Sequence, residues 1–487
     1  MSDLKRILKN ASYLFIGAAI ADASAFLFRV LIANKLGPSV FGLFSLALMT
    51  VSVGTSITLL GLPDGIVTYV SRFRSNDQPD KIAGVVLVSV GIVVITNIVL
   101  IAVIWTLAPL LATTLFDTKA LTPLLRVFVL GMPAKSIIAL TGAICLSYEQ
   151  AALQTTIRRL VPKIGQLTTA AIIIVAGGGI QLVVTWYVVV LWLTAILGLS
   201  LTTLLLKGES IKEISTNTRE LLTFSSPLFL SGFIGFFLNW TDTIFVGFFL
   251  TSVDVGIYQS AYLLGTSISL FIGAVANTLY PNFGSLLAQN KHDVISNRYR
   301  KASRWLSILA VAPTAYLITF PEQSLTLLFG AEFRAGRWVL VTIVATYFVS
   351  AVLGPATNTL KTMGYSRYIL TTFLVAFLVN IALNLLLIPR IGLLGAAVGS
   401  GTASIISDIF HFRRVKTELN LSLPVQNIGR VIVIAGVVAL FLSLISDNVT
   451  TLPIYGGFVV LFCLLYAGGL LITNTISWRD LRKLIVE

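Results

Sequence analysis

About fourteen apolar stretches, each long enough to cross a bilayer, divide the chain from end to end, with short polar segments between them. Their approximate limits are 11–34, 41–66, 82–110, 121–147, 160–179 and 180–206, then 221–249, 255–280, 303–329, 337–360, 367–388 and 391–411, and finally 427–446 and 453–474. Few folds accept that pattern. In hydrocarbon every backbone N–H and C=O must be satisfied within the chain, and stretches of this length do so as helices. The expected class is an all-α polytopic membrane protein. Of 487 residues, 56% are hydrophobic and only 11% charged, with a mean hydropathy of +0.93. That leaves too little polar surface for a soluble domain.

The net charge of +14 could suggest a nucleic-acid partner, but the charges fall in short clusters between apolar runs. A basic stripe with interleaved stacking aromatics is missing, so nucleic acid is set aside. With the N-terminus assigned to the cytoplasm, about 26 of the 34 Lys and Arg residues fall on inside segments. About 5 fall outside, namely Lys35, Lys119, Arg334, Arg337 and Arg390, and Arg29, Arg126 and Lys135 lie within spans. The excess orients the chain with both termini cytoplasmic and supports an even number of spans. The opening LKRILKN, an apolar run and ASA at 23–25 have the layout of a cleavable signal. The run continues through Phe26, Leu27 and Phe28 to Ile32, which reads as a first transmembrane helix in the cytoplasmic membrane.

Cys145 and Cys463 both sit in apolar runs, and neither His292 nor His411 has a Cys or His neighbour at metal-ligand spacing. The chain therefore offers no disulfide framework and no metal centre. GxxxxGK[ST] is absent, as is a GxGxxG after a strand, so ATP hydrolysis by this chain is not expected.

An internal repeat organises the spans. LGPSVFGLFSLA begins at Leu36 and LTSVDVGIYQSA at Leu250, an offset of 214 that places Gly42 on Gly256, Phe44 on Tyr258 and Ala47 on Ala261. At the same offset Leu146 falls on Leu360, and the turn GGGI near Gly178 on RIGLLG near Gly392. The reading is two six-helix lobes of parallel topology, 1–206 and 207–414, with two further helices in 415–487. Repeats of this kind place the working site at midplane depth, where intramembrane charges mark it.

Those charges are few. In span one, Asp22 and Arg29 are nearly two turns apart, about 10 Å along one face that also holds Ala18, Ala25 and Ala33. That face suits either a cavity lining or close helix packing with Asp22 tied to a neighbouring hydroxyl. Asp242, in NWTDTIFVG, has no basic neighbour on its own helix, and subtraction of 214 brings it beside Arg29. Asp242 and Arg29 can form a gating pair between the lobes or a permanent structural ion pair. Lys135, mid-span within GMPAKSIIALTG, either holds an anion or pairs with Asp22. Arg126 lies about one and a half turns from the outer end, and Asp64 near the inner end of span two, close to Arg72 and Arg74. Asp64 is either part of an inner gate or one side of an interfacial salt bridge. Asn239, Trp240, Tyr258, Gln259, Tyr262 and Asn277 form a polar and aromatic set that suits a glycan, although interface-belt aromatics account for Trp240 and Tyr258 almost as well.

Three segments carry a family resemblance: RELLTFSSPLFLSGFIGFFLNWTDTIFVGFFLTSVDVGIYQSAYLL from Arg219 to Leu264, LLIPRIGLLGAAVGSGTAS from Leu386, and IANKLGPSVFGLFSLA from Ile32. Over roughly residues 5 to 415 the chain resembles Wzx-type polysaccharide flippases of the multidrug/oligosaccharidyl-lipid/polysaccharide exporter superfamily. The resemblance implies a V-shaped transporter of two six-helix lobes around a central cavity, working by alternating access. It also implies a substrate: an oligosaccharide on polyprenyl or dolichyl phosphate, moved from the cytoplasmic to the outer leaflet. Arg29 occupies a place similar to a first-helix arginine of lipid II flippases, but those concentrate more arginines than Arg29, Lys135 and Arg126 supply here.

The resulting expectation is a non-enzymatic flippase. Arg29, Lys135, Arg126, Asn239, Tyr258 and Gln259 would bind substrate, Asp22 would couple to H+ or Na+, and Asp242, Arg29 and Asp64 would gate. No cofactor is expected. The partners would be the lipid-linked glycan, membrane lipids and glycan-assembly proteins, around a monomer. The competing expectation is a multidrug extrusion antiporter, whose cavity would bind cationic drugs through carboxylates.

Overall fold

The computed structural model describes residues 2–206, 218–238, 240–270, 272–273, 283–284, 286–287, 289, 291–445 and 451–476. Every regular element among them is helical. The chain divides into two compact units, Met1–Trp240 with Thr251–Gly256, and Thr241–Leu250 with Ile257–Glu487.

The first unit opens with α1 (Ser2–Leu59), two helices run together across a break at Gly37–Pro38, where Gly37 has φ 80° and ψ 172°. It continues through α2 (Leu62–Ser75), α3 (Pro79–Leu110), α4 (Leu121–Val129), α5 (Met132–Ser147), α6 (Ala151–Thr155), α7 (Val161–Val175), α8 (Ile180–Leu205) and α9 (Thr218–Leu238). A π-helical turn, Thr156–Leu160, joins α6 to α7. Leu62, Ile66 and Val70 recur on one face of α2 and are buried against Leu140 and Ile144 of α5. Phe28, Phe44, Phe128 and Tyr187 close another part of the interior, their rings meeting mostly edge to face. On α3, by contrast, Ile95 and Ile98 are more than 60% exposed. A helix that turns such residues outward belongs in lipid, where no water penalises them.

The second unit holds α10 (Thr241–Phe249), most of α11 (Ser252–Gly265), α12 (His292–Thr319), α13 (Pro321–Phe329), α14 (Arg337–Leu353), α15 (Ala356–Thr362), α16 (Ser366–Ile391), α17 (Leu393–Leu419), α18 (Val425–Ser443) and α19 (Leu452–Ile472). The last helix is apolar all round, yet only one stripe of it is buried: Tyr455, Phe462, Tyr466 and Leu470. Polar tips select that stripe. Tyr455 donates to Ser324 Oγ at 2.8 Å and Tyr466 to the Ile308 carbonyl at 2.9 Å, and the ring of Tyr316 packs on Tyr455 and Phe462.

The chain is thus a multi-pass, all-α membrane protein. Nine helices among the described residues are long and apolar enough to span a bilayer, or ten if α12 and α13, bent by 85°, form one span. One of these helices, Ile16–Ser75, carries both the 11–34 and the 41–66 stretch, α7 in the 160–179 stretch is only 15 residues long, and the 221–249 and 255–280 stretches include residues outside the described set. Turns fall inside two stretches without removing them from the count: the 121–147 stretch is interrupted at Leu130–Gly131, and the 41–66 stretch at Leu60–Gly61, where it resumes as α2. Hydropathy averaged over a window cannot register a two-residue interruption.

The two repeat segments meet within the first unit. A Cβ on Gly42 would lie 1.8 Å from the Ser252 carbonyl oxygen, and one on Gly256 would lie 2.0 Å from that of Pro38. At the offset of 214, Ser252 corresponds to Pro38, so the contact is reciprocal. Ser39 and Ser252 hydroxyls sit 3.2 Å apart beside it. Because the opposing atoms are backbone, they cannot swing aside. Gly42→Ala and Gly256→Ala should each cost about 1–3 kcal/mol of stability. Gly91→Ala, where nothing lies within 4 Å, should be neutral or stabilising by up to about 1 kcal/mol. Melting temperatures in detergent test the contrast, and equal melting of all three would refute the contact.

Candidate functional site

Three stretches of the first unit bring ionic side chains to one region. Span one of α1 supplies Asp22 and Arg29, α5 supplies Lys135 just after the break at Leu130–Gly131, and the sequence RRLVPK supplies Arg158, Arg159 and Lys163. Lys163 Nζ donates to Asp22 Oδ1 at 2.6 Å, with both side chains about a third exposed. From the small-residue face of span one, Ala18 and Asp22 border a space of about 580 Å³ with Gln154, Thr155, Arg158, Arg159 and Lys163, whereas Ala33 is fully buried.

A second space of about 320 Å³ is bordered by Lys135, Tyr187 and Gln166 together with apolar residues, and it shares Arg158 and Lys163 with the first. Lys135 Nζ donates to Ser52 Oγ at 3.2 Å. Arg29 lies near enough for its charge to act on both Lys135 and Tyr187, and Gln166 hydrogen-bonds Tyr187. Asp64, exposed in the first turn of α2, projects its field onto Arg158. The result is two neighbouring compartments around which cations outnumber carboxylates. Such an arrangement attracts anions strongly, because water screens charges poorly in a partly buried cavity.

The α7 region corrects the sequence reading at two points. Asp22 has a lysine partner, but that partner is Lys163 rather than Lys135. Arg158, Arg159 and Lys163 read from sequence as cytoplasmic loop charges, because an inside basic cluster already had a topological explanation. One signal was available. Arg159 and Lys163 are four apart at the mouth of an apolar stretch, so a helix places them on one face.

The second unit holds another membrane carboxylate. Asp242 is 2% exposed. It accepts hydrogen bonds from the Tyr258 hydroxyl and from the Thr243 backbone N–H, the latter at 2.8 Å. Gln259 Nε2 donates to Thr243 Oγ1 at 2.5 Å. Tyr258 also bonds Ser400, Asn380 donates to Ser400 at 3.0 Å, and Asn384 donates to the Asn380 side chain at 3.1 Å. Neutral donors therefore solvate the carboxylate from within its own unit, as a buried charge requires. Tyr258 and Gln259, expected to bind substrate, are instead buried and committed to this network.

The remaining expected residues separate from the cavity. Arg126 borders neither compartment: its guanidinium sits 5.7 Å from the Trp105 ring centroid. Asn239, with Asn277, lies outside the described residues. Among the described residues no group of three or more His, Cys, Asp and Glu could hold a metal ion.

Comparison with known proteins assigns the fold and the family. The family model described as "Polysaccharide biosynthesis protein" matches residues 7–287. The probable low-salt glycan biosynthesis flippase Agl15 of Haloferax volcanii is 25% identical over 296 residues, 59% of this chain and 59% of that protein. The chain thus matches just under three fifths of the length of that relative. Stage V sporulation protein B of Bacillus subtilis is 22% identical over 98% of this chain and 97% of its own length. The solved structure of lipid II flippase MurJ, in an inward closed conformation, superposes with a TM-score of 0.76 at 14% identity, covering 96% of this chain and 99% of that one. An inward-facing multidrug resistance MATE transporter gives 0.67 at 15% identity, over 84% and 98%. At such identities these superpositions speak for fold alone.

The Asp242 network makes a stability prediction. Tyr258→Phe removes a donor from a buried carboxylate and should cost about 1.5–3 kcal/mol. Asp242→Asn in the same chain should recover part of that loss, since a neutral amide needs the hydroxyl less. Melting temperatures of the two single variants and the double variant measure the coupling, and strict additivity would show that the two groups do not interact.

Proposed function

We propose, for a chain that belongs to the polysaccharide biosynthesis protein family, that it is a flippase of lipid-linked oligosaccharide. It carries a glycan on polyprenyl or dolichyl phosphate across the cytoplasmic membrane by alternating access, with both of its termini in the cytoplasm. The observation that supports this is the pair of neighbouring compartments in the first unit, bordered by Lys135, Arg158, Arg159 and Lys163, with Arg29 close enough for its charge to act on Lys135. Arg29 and Lys135 attract the carrier phosphate to the narrower compartment, and the lipid tail stays in the bilayer. Function as a flippase is also what the name of Agl15 states of that protein.

The multidrug alternative fits less well. A cationic drug would meet several positive charges in the same space against Asp22 and the more distant Asp64, and like charges repel it. The chain works as a transporter and not as a catalyst, with membrane lipids and glycan-assembly proteins as its surroundings and the monomer as its working form.

Coupling to H+ or Na+ falls to Asp22. Either ion, in neutralising the carboxylate, loosens the bridge to Lys163 and frees that ammonium for the substrate. Ion and anionic substrate then favour each other's binding, which is the thermodynamic requirement for coupling. Asp64, in the first turn of α2 and in the field of Arg158, is assigned to the inner gate.

The test is reconstitution. Purified protein in liposomes should move a lipid-linked oligosaccharide from one leaflet to the other. Arg29→Ala with Lys135→Ala should slow it by about a hundredfold, the loss of two charge-assisted contacts. Wild-type flipping by that double variant would remove the assigned role. Extrusion of a cationic dye without glycan flipping would replace the reading with the multidrug one.

A further inference from the structure

The wider compartment differs from the narrower one in its chemistry. The narrower is mainly apolar around Lys135 and Tyr187. The wider is bordered by Asp22, Gln154, Thr155, Arg158, Arg159 and Lys163, with Ala18 the one apolar residue. Three cations there face one carboxylate, and that carboxylate is already bridged to Lys163. Among the described residues neither Arg158 nor Arg159 makes an ion pair. Arg158 feels the field of Asp64 and the opposing field of Arg159. A protein gains nothing in stability from two adjacent arginines that repel each other beside open space.

Their presentation is built into the backbone. Arg158 and Arg159 lie in the π-helical turn Thr156–Leu160, which replaces a regular α-turn between α6 and α7. Such turns cost hydrogen-bond geometry and recur at functional sites. Here the turn brings two consecutive residues, and Lys163 one turn on, to the border of one compartment.

We propose that this wider compartment is a second anion site, and that its ligand is an acidic sugar of the glycan, a uronate or sulfated residue. The inference rests on the flippase reading for the source of the sugar. The amide of Gln154 and the hydroxyl of Thr155 supply neutral hydrogen bonds for sugar hydroxyls, and the two arginines supply planar donor pairs for a carboxylate or sulfate. With the carrier phosphate at Arg29 and Lys135, the residual positive charge of the wider compartment is left to be matched by the glycan itself. Asp22 sets the strength of the site, because it competes with the sugar's anion for Lys163. The substrate class is therefore an acidic, rather than a neutral, lipid-linked oligosaccharide.

Two experiments test the site. In the first, binding of tri-galacturonate and of maltotriose to the purified full-length protein is measured directly by calorimetry. Tri-galacturonate should bind and maltotriose should not. Arg158→Gln with Arg159→Gln should weaken tri-galacturonate by about tenfold or more, while Arg158→Lys with Arg159→Lys keeps part of the affinity. Asp22→Asn should tighten it, a gain that misfolding cannot imitate. Equal binding of both sugars, or an Asp22→Asn protein that binds tri-galacturonate no better than wild type, overturns the proposal. This measurement stands whether or not the protein flips lipids.

In the second, liposomes carry three substrates: an acidic glycan on a monophosphate carrier, a neutral glycan on the same carrier, and a neutral glycan on a diphosphate carrier. The glutamine double variant should lose flipping of the acidic glycan alone. Comparable loss with the neutral glycan on diphosphate would identify the carrier phosphate as the ligand and overturn the acidic-sugar assignment. Equal loss with all three would reduce the arginines to a general structural role. Absence of flipping by the wild-type protein with every substrate would instead count against the flippase reading, leaving the calorimetric result to judge the site.

Discussion

The Asp22–Lys163 bridge is the interaction around which the first unit's chemistry is arranged. It joins α1 to α7 at 2.6 Å across a cavity rather than inside a packed core, with each side chain about a third exposed. A pair so placed contributes little to stability, since water competes for both ions. Its value is that it can be exchanged. An anion that reaches Lys163, or a proton or Na+ that reaches Asp22, breaks the bridge at modest cost, whereas a sealed bridge would resist both.

Asp242 shows the opposite solution to the same problem. Its carboxylate is 2% exposed and is held by Tyr258 and Thr243, which are in turn held by Ser400 and Gln259. These two partners are neutral, and each is fixed by another residue. A network of that kind rigidifies the helices that contribute to it and raises the penalty for removing any member. One carboxylate is thus partly open to the cavity, and the other is enclosed by protein.

Interruptions in the helices do much to place these groups. Lys135 follows the break at Leu130–Gly131 by one turn, Asp64 follows the break at Leu60–Gly61, and Arg158 and Arg159 ride a π-helical turn. Breaks leave backbone groups without helical partners, which lipid does not tolerate but a polar cavity does. These three interruptions stand beside Lys135, Arg158 and Arg159, which border the compartments, and Asp64, whose field reaches Arg158. The reciprocal Gly42–Ser252 and Gly256–Pro38 contacts add the counterpart: where the repeat segments touch, side chains are absent and backbones meet directly.

Sequence alone determined the class of the protein. An all-helical, multi-pass fold follows from the length and apolarity of the stretches, because lipid leaves the backbone no other way to satisfy itself. The repeat at an offset of 214 was legible as matching residues in order, and Asp22, Arg29, Lys135 and Asp242 stood out because a charge in an apolar run is costly. What only the tertiary structure decided was partnership. Asp22 belongs with Lys163 and not Lys135, Arg126 stacks on Trp105, and Tyr258 and Gln259 serve Asp242 instead of substrate. Arg158 and Arg159 passed for topological charges until the turn that carries them was seen to border a cavity. Hydropathy and spacing act along one helix, but an ion pair or a cavity wall forms between helices, and the rotation of each helix about its axis is set by packing that no single stretch encodes.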